Sequence, residues 1–215
     1  MSAVAANARG PRRRLTAARR RHQLIEVALE TFAASGYSAT TMEEIATAAG
    51  VTKPLLYQHF ASKRALYLEL IDDIAARLLQ SLAGVTVEPS WRGRVEAGME
   101  AYFHFVLNNE SAVRMLFDAP RDEELARGLR RIEEAIADFV APLIEADIEE
   151  EHRHTIAAAV VGLTEGVTRD WLRGRARAGA PGSTLVVNDD EAVKRLASRV
   201  ADFAWGGLRS LRREA

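Results

Sequence analysis

Residues 41–60 read TMEEIATAAGVTKPLLYQHF. Thr41 and Glu44 have the spacing of a capping box, so a short helix opens there and ends near Ala49. Gly50 stops it, and a glycine in that place can take the positive φ that a sharp turn needs. Thr52 can cap a following helix, with Pro54 tolerated in its first turn. Ile45, Ala46, Ala49, Val51 and Leu56 supply a small apolar core that fixes a steep crossing of the two helices. This is the helix-turn-helix pattern, whose second helix can present its first turns to a DNA major groove. Spacing alone fits a plain helix corner equally well.

The charge of the surrounding chain separates the two readings. The whole chain carries a net charge of −1, which hides an asymmetry. Residues 1–64 hold ten Lys and Arg against four acids, a net of +6, and the remaining 151 residues carry −7. A basic head on an acidic body suggests that the head meets a polyanion and the body does not. Seven of those arginines precede residue 22 and could also form a solvated tail.

Outward from the motif, apolar residues recur at helical spacing and β-branched alternation is almost missing. Leu24, Ala28 and Phe32 mark a first helix over about 16–35, with Gly36 as its C-cap. Ser62 can cap a long fourth helix through Leu82. After a break at Gly84–Pro89, Trp91, Val95, Met99, Tyr102 and Val106 form one face of a helix over about 91–107. Further helices are expected over about 111–117, 122–144 and 154–177, with a loop from Gly174 to Asn188. A last helix, capped by Asn188 with Glu191, runs to about Leu211. The expected fold is all-α, about nine helices: a flexible basic arm over 1–15, a three-helix helix-turn-helix domain over 16–61, and a helical bundle over 62–215.

Composition narrows the function. Cysteine is absent, which removes disulfides, thiolate metal sites and a cysteine nucleophile. No apolar run approaches the roughly 18 residues that span a bilayer, and MSAVAANARG lacks the apolar core of a secretory signal. A soluble, cytoplasmic protein is expected, with no membrane partner. There is no Gly-rich phosphate loop, HExxH or GxSxG, and no reason to propose catalysis or a cofactor. His152 and His154 stand two apart beside Glu149–Glu151; on a helix they point to different faces, so a polar helix junction fits better than a metal site.

The stretch GYSATTMEEIATAAGVTKPLLYQHFASKRALYLELI, residues 36–71, resembles the signature of the tetracycline-repressor (TetR) family of bacterial regulators. Phe32, Gly36, Thr41, Ile45, Ala46, Ala49-Gly50-Val51, Leu56-Tyr57, His59-Phe60, Ser62-Lys63 and Leu66 carry the match, over about residues 16–75. The resemblance implies that Tyr57, His59 and Lys63 approach DNA phosphates. It places Thr52, Lys53, Pro54, Leu55 and Gln58 towards the groove. Thr41 joins a hydroxyl to free backbone N–H groups at a helix start, a phosphate site. Lys53 could reach guanine acceptors, Gln58 adenine, and Leu55 a thymine methyl. Glu43 matches a position that sometimes reads bases.

For the body, the family implies a pocket for a small apolar effector and a four-helix dimer interface. Met99, Tyr102, Phe103, Met115, Phe117 and Phe139 could line the pocket, with His104, Thr164, Glu165 and Thr168 as its polar groups. A packed core accounts for the same apolar residues. The last two helices carry Ala158, Gly162, Val200, Phe203 and Ala204 as interface candidates, unless they form an internal pair. The expectation is a homodimeric repressor of a palindromic DNA operator, released by a small apolar molecule. Two alternatives stay open: a regulator controlled by a protein partner, and a helical enzyme with an incidental arm.

Overall fold

The computed structural model describes residues 16–118, 122–178 and 189–213. Within them the chain is all helical, with nine α-helices. The basic arm over 1–15 and the Asn188 cap lie outside the described residues.

Local signals start most of the helices. In α1 (Ala17–Ala39), the Thr16 hydroxyl accepts from the Arg19 N–H at 3.3 Å. Gly36, at φ 76°, breaks its regular path, as expected of a glycine in that place. The buried Thr40 hydroxyl donates to the Gly36 carbonyl at 2.8 Å, which ties off the break. The capping box of α2 (Met42–Ala48) is complete: the Glu44 N–H donates to Thr41 Oγ1 at 3.2 Å and the Thr41 N–H to Glu44 Oε2 at 2.7 Å. Gly50 turns the chain at φ 64° into α3 (Lys53–His59). Thr52 occupies the cap position, but its hydroxyl accepts no cap hydrogen bond, contrary to expectation.

The Ser62 hydroxyl caps α4 (Lys63–Leu82) by accepting from the Ala65 N–H at 3.0 Å. This helix is the spine of the molecule. Leu66, Tyr67, Leu70, Ile71, Ile74, Leu78 and Leu82 are buried at helical spacing, and α1, α5 (Trp91–Asn108) and α7 (Glu123–Val140) pack around them. Truncating one such leucine to alanine costs about 2–5 kcal/mol. Tyr67 is fully buried, and its hydroxyl donates to the Met115 carbonyl of α6 (Glu110–Phe117) at 2.9 Å. One core thus runs from α1 to α6 through α4; a second joins α5 to α8 (Glu150–Ala178) and α9 (Asp189–Leu208).

Three helices differ in their limits from the sequence reading. Helix α7 stops at Val140, and Ala141–Leu143 form a 3-10 turn instead of a helix running to residue 144. Pro142 has no N–H with which to extend the ladder. Helix α8 starts four residues before His154 and ends at Ala178, one residue past its expected end, so the first residues of the Gly174–Asn188 loop are helical. Arg175 pairs with Glu110 at 3.0 Å and Arg114 donates to the Leu172 carbonyl at 2.8 Å, so α6 holds those last turns. Helix α9 ends at Leu208 and passes into a 3-10 turn, Arg209–Arg213. Its lengthwise partner is α5, with Trp91 against Trp205 edge to face at 5.1 Å.

Candidate functional site

The crossing of α2 and α3 rests on Ile45, Ala46, Ala49, Leu56 and Phe60, all buried. Two bonds lock the turn: the Gly50 N–H donates to the Thr47 carbonyl at 3.0 Å, and the Val51 N–H to the Ala46 carbonyl at 2.9 Å. Apart from those five core residues and the buried Met42, the side chains of the motif are exposed or half-buried. Thr41, Thr52, Lys53, Pro54 and Gln58 are exposed, and Leu55 and His59 are half-buried. Tyr57 is 45% exposed, an aromatic that its own core does not cover. Eight of the nine expected DNA-contacting residues are therefore exposed or half-buried, Thr41 at the start of α2 and the others at the cap of α3 or along it.

Lys63 differs. Its ammonium donates to the carbonyls of Tyr37 and Thr40 at 2.8 Å each and of Ser38 at 3.4 Å, and lies 4.5 Å from the Tyr37 ring centre. Three N–H groups meet three carbonyls, so a phosphate would compete with bonds already made. Lys63 ties the turn after α1 to the start of α4. Other basic residues of the head are engaged in the same manner. Arg21 pairs with Glu69 and stacks over Phe60 at 4.6 Å. Arg64 bridges Asp122 at 2.9 Å and Glu124 at 3.1 Å, clasping α4 to α7. The backbone N–H groups that Asp122 caps, joined by Arg64, hold its carboxyl below the ordinary carboxylate range. Sequence charge counting could not separate these internal partners from free cations.

The body contains two adjoining cavities. The first has about 730 Å³ of empty space, including its opening to solvent, between α5, α7 and α8. Met99, Tyr102, Phe139 and Thr164 line it, together with Leu82, Trp91, Arg94 and Ile144. The second, of about 750 Å³ on the same measure, is bounded by Ile74, Ala75 and Leu78 of α4, by Phe117, and by Glu133, Glu165 and Arg169. Burial, then repulsion by Glu133, pushes the Glu165 carboxyl up.

Four expected pocket residues face elsewhere. Phe103 is fully buried, packed edge to face on Tyr102 and Trp171. Met115 belongs to the core beneath α4. His104 turns towards Glu100 and Asp190 of α9, at 3.6 and 3.7 Å. Thr168 lines neither cavity, but its hydroxyl donates to the Tyr102 hydroxyl at 3.1 Å and so positions a residue that lines both. His154 lies 3.5 Å from Asp138, a polar contact between α8 and α7. No three metal-ligating side chains converge among the described residues.

The interface candidates divide as well. Ala158 and Gly162 are exposed on α8, and Phe203 is 73% exposed on α9. Val200 and Ala204 are buried against α5 within the chain, so they are core and not free surface. No described helix is long and apolar enough to cross a membrane.

Comparison with known proteins places this geometry. The family model for bacterial regulatory proteins of the tetR family matches residues 24–70, which contain α2, α3 and the start of α4. The chain is 35% identical over 203 residues to the HTH-type transcriptional activator FasR of Mycolicibacterium smegmatis, covering 91% of this chain and 85% of that protein. A TetR-like transcriptional regulator from Rhodococcus sp. RHA1 superposes with a TM-score of 0.63 at 26% identity, over 86% of this chain and 97% of that one. The fatty acid degradation regulator FadR from Bacillus halodurans shares the fold, with a TM-score of 0.73 at 15% identity over 92% of this chain and 99% of its own. With an exposed helix-turn-helix face, an all-helical body and identity sustained along nearly the whole of a regulator, the chain belongs to the tetR family of bacterial regulatory proteins: it is a DNA-binding regulator of transcription and not an enzyme.

Proposed function

We propose that the chain is a homodimeric repressor of a palindromic operator, released by a small, mainly apolar effector. The observation that carries it is the double duty of α4. Only three residues separate this helix from the end of α3, and its Ile74, Ala75 and Leu78 wall one of the cavities. A ligand that tilts α4 moves the DNA-reading surface. Taking the competent state from 99% to 1% requires about 5.5 kcal/mol of preference for the other state. The unit over 16–61 reads DNA, with Thr41, Thr52, Lys53, Pro54, Leu55, Tyr57, Gln58 and His59 as its contact surface. The unit over 62–215 binds the ligand and dimerises.

Support for the dimer comes from glycines with no role inside the chain. Beside Gly162 and Gly166 of α8, and Gly206 and Gly207 of α9, an added Cβ would meet nothing within 4 Å. Mid-helix glycine costs roughly 0.5–1 kcal/mol against alanine, and close approach of a second helix offsets that. Ala158 and the exposed Phe203 lie on the same helices. Two motifs related by a two-fold axis then read a palindrome.

A second reading, activation, is favoured by the name of the FasR relative. The experiment is selection of bound genomic fragments, followed by transcription from the selected promoter with and without the protein. Lower transcription with the protein, relieved by a ligand that also releases the fragment, supports repression. Higher transcription supports activation, and no selected fragment overturns both.

A further inference from the structure

The two cavities adjoin. Tyr102, Ile136, Val161 and Thr164 line both, so a single layer of side chains separates them. The first chamber offers a ligand almost nothing polar. Its one cation, Arg94, is paired with Glu145 and donates to the Glu88 carbonyl at 2.8 Å, and the Thr164 hydroxyl donates to the Val161 carbonyl at 2.8 Å. Such a chamber takes hydrocarbon.

The second chamber is different. Glu165, half-buried, has no hydrogen bond or ion pair among the described residues, and its charged neighbours are Glu133 and Arg169. The Arg169 guanidinium lies over the Phe117 ring at 4.7 Å. Two carboxylates face one guanidinium, so the chamber is short of positive charge. A half-buried carboxylate beside a second one is costly to ionise, and an added positive charge close by offsets that cost.

Resting on the effector reading above, we propose that the ligand is a linear cationic amphiphile, an alkylammonium in chemical class. Its chain occupies the chamber walled by Trp91, Met99 and Phe139, and its head sits at Glu165 and Glu133. Tyr102, held by Thr168, stands at the partition that the molecule crosses. An anionic head would meet the two carboxylates and only one cation, already stacked on a ring.

The test titrates the full-length protein with dodecylammonium, dodecanol and dodecanoate, each below its micellar concentration, by calorimetry and thermal melting. Dodecylammonium should bind about tenfold or more tighter than dodecanoate, the scale of one opposite charge at a half-buried carboxylate. Glu165→Gln should collapse that preference while leaving dodecanol unchanged. Ile136→Trp, which fills the partition, should abolish binding of all three; if it fails to fold, Glu165→Gln still decides. Equal or tighter binding of dodecanoate, an unchanged preference in Glu165→Gln, or no binding by any probe overturns the proposal. Release of operator DNA is read in the same samples. Dodecylammonium that binds with the stated preference without releasing DNA sinks the effector reading and leaves the amphiphile site standing.

Discussion

Lys53 Nζ lies 3.3 Å from Glu43 Oε2, an ion pair that ties the first residue of α3 to the outer face of α2. Both side chains are exposed, so the pair is weak and sits on the surface proposed to meet DNA. On the proposed reading of Lys53 as a groove contact, the pair holds the lysine back until a competing acceptor arrives. Glu43→Gln should therefore raise operator affinity by up to about fivefold, the scale of one exposed pair. Fluorescence anisotropy on wild-type and base-substituted operators checks this. Weaker binding with altered base preference would mean that Glu43 itself touches a base.

Tyr57 and Lys63 should behave differently. Tyr57→Ala removes an exposed ring and should weaken DNA binding across all sequences with little change in melting temperature. Lys63→Met removes three carbonyl bonds and should cost about 1–3 kcal/mol of stability. Because its ammonium is engaged within the chain, the slope of affinity against salt should stay near the wild-type value. A slope reduced by about one unit would restore Lys63 as a phosphate contact.

Phe203→Glu should convert the dimer to a monomer of 23.6 kDa without lowering the melting temperature of the monomer, because the ring is 73% exposed within the chain. Val200→Glu, three residues earlier, should unfold the protein, because that side chain packs against α5. Sedimentation together with circular dichroism separates the two outcomes. A dimeric Phe203→Glu protein would move the interface elsewhere.

Glu165 gives a pH signature. Burial and Glu133 raise its pKa in the folded chain, so the folded state binds a proton more readily than the unfolded state. Stability then falls as pH rises from the unfolded pKa through the folded one, and the deficit persists above both. Glu165→Gln should raise the melting temperature at pH 7, and the gain should shrink to nothing as pH drops below the ordinary carboxylate range. A gain that is the same at all pH values would point to packing and not to charge.

Much of this protein was legible in residue order. The Thr41–Glu44 capping box, the Ser62 cap, and the glycines at 36 and 50 are local devices whose partners lie within four residues, so spacing alone specifies them. The helix-turn-helix core of Ile45, Ala46 and Leu56 is almost as local. Tertiary structure alone decided which side of each later helix is covered, and by what. A period of 3.6 residues groups Val200 with Ala204 and sets Phe203 apart, but it cannot say that α5 buries the first two and leaves the third to solvent. For the same reason Phe103 and Met115 became core while Met99 and Phe139 line a cavity. The apolar pattern is the same, and only the neighbouring helix differs. Lys63 and Arg64 counted as free charge in the sequence until distant carbonyls and carboxylates were folded against them. Electrostatic partners come from the approach of other elements, which local spacing does not encode.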